Sequence, residues 1–250
     1  MTADQLNMTL VLYRGITVEP SEAESIREQI LNDGLSVDSS KNWGAFHCID
    51  LRPRLNKLLQ KDNLATDETR PSRWVKTARG GYSEPIGHYP AFCACGDELG
   101  ASYYALKHNA NERDGRIVPL LIKFRSLVRD VQVDGRDLLY TAMQCGSSAE
   151  HEQNLTRVFG KKVVAYFEHA RASDNQDYRV ALCDLAIQDP EIVLSHYSND
   201  IVLGGQCGTI FKSAFLVRSP VSSEQIISVT TPSMREFTPQ LTLREFRQST

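Results

Sequence analysis

A single arginine at the end of an apolar run near the amino terminus constrains this chain more than any other feature. The run is Leu10-Val11-Leu12-Tyr13-Arg14-Gly15-Ile16. Thr9 to Tyr13 has the aliphatic and β-branched content of a short buried strand, and Arg14 stands at its end. A guanidinium is costly to bury unless it meets an anion, and its planar fork suits a phosphate or carboxylate held at two points. Gly15, with no side chain, lets a ligand approach the backbone. The alternative is an edge-strand arginine that simply reaches solvent.

Downstream of this run, Pro20 and the capping box Ser21-Glu22-Ala23-Glu24 open a helix. Ile26, Ile30 and Leu31 give its apolar stripe, and Gly34 stands where a left-handed cap belongs. Leu51 to Lys61 has helical spacing, whereas Asp62 to Gly87 is polar, rich in Arg, Gly and Pro, and interspersed with Trp74 and Tyr82. So long an irregular stretch points to a binding loop or an insert. Tyr89 to Cys95 reads as a strand, and Asp97 is placed to cap a helix running to about His108. A turn over Asn109 to Arg116 leads into Ile117 to Phe124, the most strand-like run in the sequence, and Leu127 to Val133 follows as a second extended piece.

Asp134-Gly135 makes a turn, Leu138 to Met143 begins a helix, and Glu150 to Ala172 reads as one long helix that Gly160 weakens. The last third reads as short strands: Tyr178 to Ala186, Glu191 to Tyr197, Asp200 to Leu203, Thr209 to Val217 and Gln225 to Val229. The expected fold is α+β, with a mixed, mainly antiparallel sheet and helices inserted between the early strands. Residues 1–230 form a single domain in this scheme, and 231–250 a loosely attached tail.

Composition removes several classes of function. With 28 basic against 31 acidic side chains the net charge is -3, so no general attraction to nucleic acid or to an anionic membrane follows. No apolar run reaches the roughly 18 residues needed to cross a bilayer, and the first ten residues lack the pattern of a cleaved signal. A cytoplasmic protein is expected, or one that enters a target cell without a cleaved signal peptide. The cysteines at 48, 93, 95, 145, 183 and 207 form no Cys-x-x-Cys pair, and the histidines show no ligand spacing. All six are expected to be thiols, and no metal site is expected.

Three separated patches resemble the ADP-ribosyltransferase toxin superfamily, in the branch defined by an arginine, a serine-containing strand and a glutamate. Tyr13-Arg14-Gly15 followed by the helix from Ser21 to Gly34 is similar to the first motif. Phe92-Cys93-Ala94-Cys95-Gly96-Asp97 with Ala101, Tyr104 and the strand Ile117 to Phe124 is similar to the second, although Cys-Ala-Cys stands where Ser-Thr-Ser is expected. Asp189-Pro190-Glu191-Ile192-Val193-Leu194, taken as the start of a strand, is similar to the third.

The resemblance implies a split, mainly antiparallel sheet and a mono-ADP-ribosyltransferase, of bacterial effector or toxin type, that uses NAD as co-substrate. Its acceptor would be a macromolecule, protein rather than nucleic acid. It implies Glu191 on the ribose, Arg14 on the phosphates, and Asp189 orienting or deprotonating the acceptor. Tyr13, Arg14, Gly15, Phe92, Cys93 and Tyr104 would hold the dinucleotide.

The chemistry is consistent with those residue types. Breaking the nicotinamide–ribose bond passes through a sugar cation, which a carboxylate stabilises strongly in a dry cleft, while an arginine holds the pyrophosphate still. Phe92 with Tyr103 or Tyr104 could supply an aromatic slot for nicotinamide. Three other readings stay open: an NAD glycohydrolase, a hydrolase using Cys93 or Cys95 as nucleophile, and a catalytically inactive binding module with the same fold.

Overall fold

A computed structural model describes residues 3–36, 91–108, 117–135, 138–144, 149–205, 208–233 and 235–248. The expected helix from Leu51 to Lys61, the polar stretch after it and the turn from Asn109 lie outside the described residues.

Two long strands form the centre. Thr9–Val18 (β1) pairs antiparallel with Val118–Leu127 (β3) without a break, from Thr9↔Leu127 to Val18↔Val118. Both are rich in Leu, Val and Ile, so the pairing aligns two runs that favour extended backbone. On its other side β1 touches Ala91–Cys95 (β2) through Tyr13↔Cys95, and β2 pairs with Ala214–Arg218 (β7). Val131–Val133 (β4) closes one edge and Ile226–Thr230 (β8) the other, giving the order β4-β7-β2-β1-β3-β8 with every pairing antiparallel. The expected mixed, mainly antiparallel α+β architecture is therefore present. A second sheet, β6-β5-β9, is small: Leu203–Gly204 (β5) pairs antiparallel with Ile210–Phe211 (β6) and parallel with Leu241–Thr242 (β9). The segment after residue 230, expected to be loosely attached, thus contributes a strand and then the helix Leu243–Gln248.

The pleat assigns side chains to two faces, because successive residues of a strand alternate. Leu10, Leu12, Phe92, Ala94, Leu120, Ile122, Phe124, Phe215 and Val217 share the main core with the helices. That layer comprises Leu139–Gln144 and four helices running from Ala149–Phe159 through Lys162–Arg171 and Gln176–Ala186 to Pro190–Tyr197. Cys95 and Leu121 face the opposite way, where they pack with Ala101, Tyr13 and Tyr104. Ala101 belongs to Glu98–Tyr103, the helix after β2, which continues as a π-helical turn over Tyr104–His108.

Several sequence expectations are corrected. Tyr178 to Ala186 and Glu191 to Tyr197 are helical, not extended. Ala181, Leu182, Cys183, Ala186, Ile192 and Val193 are buried in the main core. A helix buried on most sides has the same short apolar runs as a buried strand. The long helix expected over Glu150 to Ala172 is two helices, broken at Gly160, whose φ of 82° is left-handed. A Cβ there would lie 2.4 Å from Ser195 Oγ, so the site is closed to side chains by both backbone and space. The first long helix is Ala23–Asp33, capped by Gly34 as expected, but it starts after Glu22 with no side-chain cap, so Ser21 does not perform the capping assigned to it.

Candidate functional site

Arg14 projects from β1 on the face occupied by the helical layer, since it shares parity with Leu10 and Leu12 and pairs with Ile122. Its guanidinium stands over the Phe92 ring, 5.1 Å from the centroid, and Nη1 donates to the carbonyl oxygen of Cys93 at 2.6 Å. Phe92 is itself fixed edge-on to Phe124 at 5.7 Å. Burial pulls the Arg14 pKa below its ordinary value, with the sulfurs of Cys93 and Cys95 acting in the opposite sense. Arginine stays charged even so. Among the described residues no carboxylate pairs with it. One N–H is used on Cys93, which leaves most of the five donors of the fork for an acceptor from outside.

Tyr13, Gly15 and Tyr104 do not join that group, because the pleat sends alternate residues to the other face; Cys93 joins it through its backbone carbonyl. Tyr13 lies under Lys123, whose Nζ is 5.6 Å from the ring centroid, and packs with Cys95, Ala101 and Tyr104. At Gly15 a Cβ would come 1.9 Å from the carbonyl oxygen of Ala101, so the missing side chain lets helix Glu98–Tyr103 lie directly on β1. Phe92 is buried beneath Arg14, and Tyr104 is across the sheet, so the two do not form one aromatic slot. Cys93 is an exposed thiol, and Cys95 and Cys183 are buried thiols.

Asp97 does cap its helix, accepting from Gly100 N at 2.8 Å. Its other oxygen accepts from Lys212 N and Ser213 N at 2.9 and 3.2 Å, which ties the helix to the entrance of β7. The sequence announces the cap but carries no signal for this second, long-range contact.

The acidic pair belongs to another arrangement. Asp189 is fully buried and caps Pro190–Tyr197, accepting from Glu191 N at 3.0 Å. The same carboxylate meets Lys162 Nζ at 3.0 Å and accepts from Tyr166 OH at 2.9 Å. A carboxylate filled by a backbone amide, an ammonium and a phenol is suited to holding two helices together, not to taking a proton from an acceptor. Glu191 sits in the first turn of the helix, half exposed, with Lys162 Nζ at 3.4 Å. It lies in the helical layer on the same side of the sheet as Arg14. Tyr197, at the far end of its helix, exchanges hydrogen bonds with the backbone of Val11. Glu191 is six residues back from Tyr197, about 9 Å of helix rise. Arg14 and Glu191 each keep their own partners, and no described contact joins them.

A cavity of about 320 Å³ lies elsewhere, lined by Leu99, Tyr103, Lys107 and Ile210 with Arg235, Glu236, Phe237 and Thr238. Tyr103, expected near nicotinamide, lines this cavity.

Among the described residues, no group of three His, Cys, Asp or Glu is placed to hold a metal ion, and no helix is long and apolar enough to cross a membrane. In comparisons with family models, curated proteins and solved structures, nothing matches the chain.

Proposed function

We propose that the chain is a mono-ADP-ribosyltransferase of effector or toxin type that binds NAD through Arg14 and transfers ADP-ribose to a macromolecular acceptor. The observation that carries this reading is the guanidinium itself: half-buried, seated on Phe92, tethered by one bond to Cys93, and without a carboxylate partner among the described residues. A desolvated cation in that state favours a multiply charged anion, and a pyrophosphate offers acceptors for the donors that remain. In this reading Glu191 takes the ribose. Its exposed 3.4 Å contact with Lys162 is of the weak kind that a substrate hydroxyl can replace. Asp189 is removed from the reacting groups and holds the helix that presents Glu191.

One observation favours a second reading, a nucleotide-binding module without turnover. Asp189 and Glu191 share Lys162, and both belong to an interhelical junction complete without substrate. Incubation with NAD labelled on the adenylate separates the two, with nicotinamide release and label transfer to lysate proteins measured beside calorimetric binding. The transferase reading expects release and transfer in the wild type, loss of NAD binding in Arg14→Ala, and retained binding with little turnover in Glu191→Gln. Binding without any nicotinamide release supports the module. Unchanged NAD affinity in Arg14→Ala removes both.

A further inference from the structure

The cavity beside Tyr103 is separate from Arg14 by construction. Leu99, Tyr103 and Lys107 recur at intervals of four and form one stripe of the helix and its π-helical continuation. Ala101 and Ala105 lie on the opposite side, pressed against the backbone of Gly15. The stripe therefore faces away from β1. The helix itself covers the sheet face that carries Tyr13, Cys95 and Leu121, not the face that carries Arg14. Anything bound at the stripe is divided from Arg14 by both a helix and a sheet.

The lining has a definite chemistry. Tyr103 and the exposed Phe237 supply two aromatic rings, and Leu99 and Ile210 an apolar floor. Lys107 and Arg235 are exposed cations with no ion-pair partner among the described residues. Glu236 and Thr238 add an acceptor and a hydroxyl. Two cations against one carboxylate leave an excess positive charge next to stacking surfaces, which suits a planar ring bearing a small anion. The volume is at the lower end of the range for small-molecule sites, about 300 to 1,000 Å³. That volume favours a ligand of mononucleotide size over a dinucleotide.

We infer that this cavity is a second ligand site, built by the helix after β2 and the segment 235–238, for a nucleoside monophosphate. The base lies against Tyr103 and Phe237, the phosphate meets Lys107 and Arg235, and Glu236 accepts from a ribose hydroxyl or an exocyclic amine. The site does not depend on the transferase reading, since none of its residues contacts Arg14, Asp189 or Glu191.

The test is calorimetric titration of the full chain with adenosine 5'-monophosphate, with adenosine and inorganic phosphate as separate arms, and with a 5'-phosphorylated tetranucleotide as a fourth. Saturable binding of the monophosphate is expected, with adenosine and phosphate each weaker by roughly tenfold or more. Lys107→Ala and Arg235→Ala should each weaken the monophosphate by roughly tenfold. Both side chains are exposed, so folding is not at stake, and circular dichroism checks it. Tyr103→Leu, which keeps an apolar side chain, should weaken adenosine and the monophosphate alike. The monophosphate is titrated in the Arg14→Ala background as well, where saturable binding at the cavity, sensitive to Lys107→Ala and Arg235→Ala, should persist, which keeps the two sites distinguishable. Three results would overturn the inference: no monophosphate binding by the wild type, binding that survives both cation substitutions, or binding of the tetranucleotide alone.

Discussion

Lowering the pH from 7 to 4 should destabilise this protein through one buried imidazole. His196, 2 % exposed, is stacked on Phe159 at 4.8 Å and meets Phe215 edge-on at 5.3 Å. The backbone N–H of Ala214 donates to its Nε2 at 3.1 Å, so that nitrogen carries no proton. The proton is on Nδ1, which donates to the carbonyl oxygen of Val158 at 3.1 Å. The neutral ring is thus fully satisfied, linking two helices to β7. Protonating Nε2 would set an N–H against the N–H of Ala214 and place a cation among aromatic rings.

Burial accordingly pulls the pKa from 6.5 down to about 4, only partly offset by the Val158 bond and by Asp134. The sign follows from proton counting. Below pH 6.5 the unfolded chain binds a proton on this ring that the folded chain refuses until about pH 4. The stabilisation is complete above 6.5 and is lost as pH falls through that window. The slope is at most about 1.4 kcal/mol per pH unit, and the total about 3 kcal/mol, a large part of the stability of an ordinary domain.

Urea unfolding followed by far-ultraviolet circular dichroism at half-unit steps from pH 7.5 to 4.5 measures it. His196→Gln should be less stable at pH 7.5 and show a shallower decline below 6.5. His151, buried against Phe167 and also shifted down by burial, acts in the same direction, so His151→Gln serves as the parallel control. A His196→Gln protein with the full wild-type slope would refute the assignment.

Asp189→Ala should cost about 3 kcal/mol in urea unfolding, because it strips Lys162 of a buried partner and the helix of its cap. Glu191→Gln should change stability by no more than about 0.5 kcal/mol, since its pairing with Lys162 is exposed. Gly160→Ala should lower the melting temperature, with a cost of at least about 1 kcal/mol, because an alanine at φ 82° is strained and its Cβ meets Ser195. Alkylation by N-ethylmaleimide, read by peptide mass spectrometry, should modify Cys93 well before Cys95 or Cys183. Equal rates at the three would contradict their burial.

What was legible in the sequence follows from how local each signal is. The pairing partners β1 and β3 are long runs rich in aliphatic residues, and the helix stop at Gly34 and the start at Asp97 are single-residue signals whose chemistry is complete within one turn. The region from Tyr178 to Tyr197 failed because burial erased its period. With apolar residues facing both the sheet and neighbouring helices, nothing in the spacing separates helix from strand. Even so, Asp189-Pro190 held the answer: an N-cap aspartate followed by proline at the first helical position is a helix start. Read that way, it contradicts a strand in the same residues.

That correction bears on function more than on fold. In a strand, Asp189 and Glu191 would point to one face together, as two carboxylates lining one cleft. In the first turn of a helix, Asp189 instead turns back onto the backbone and into the interior, while Glu191 stays at the surface, and Lys162 is shared between them. The two acids are therefore not equivalent, and only Glu191 retains a carboxylate that a substrate could reach. The same period-two argument divides the amino-terminal motif, sending Arg14 to the helical side and Tyr13, Cys95 and Tyr104 to the other. Three motif patches thus reduce to two exchangeable charges, Arg14 and Glu191, on one side of a sheet. The proposed transferase reading rests on those two groups, and it expects Arg14→Ala to act on affinity and Glu191→Gln on turnover. A loss of affinity from both would place them in one binding contact instead of two separate roles.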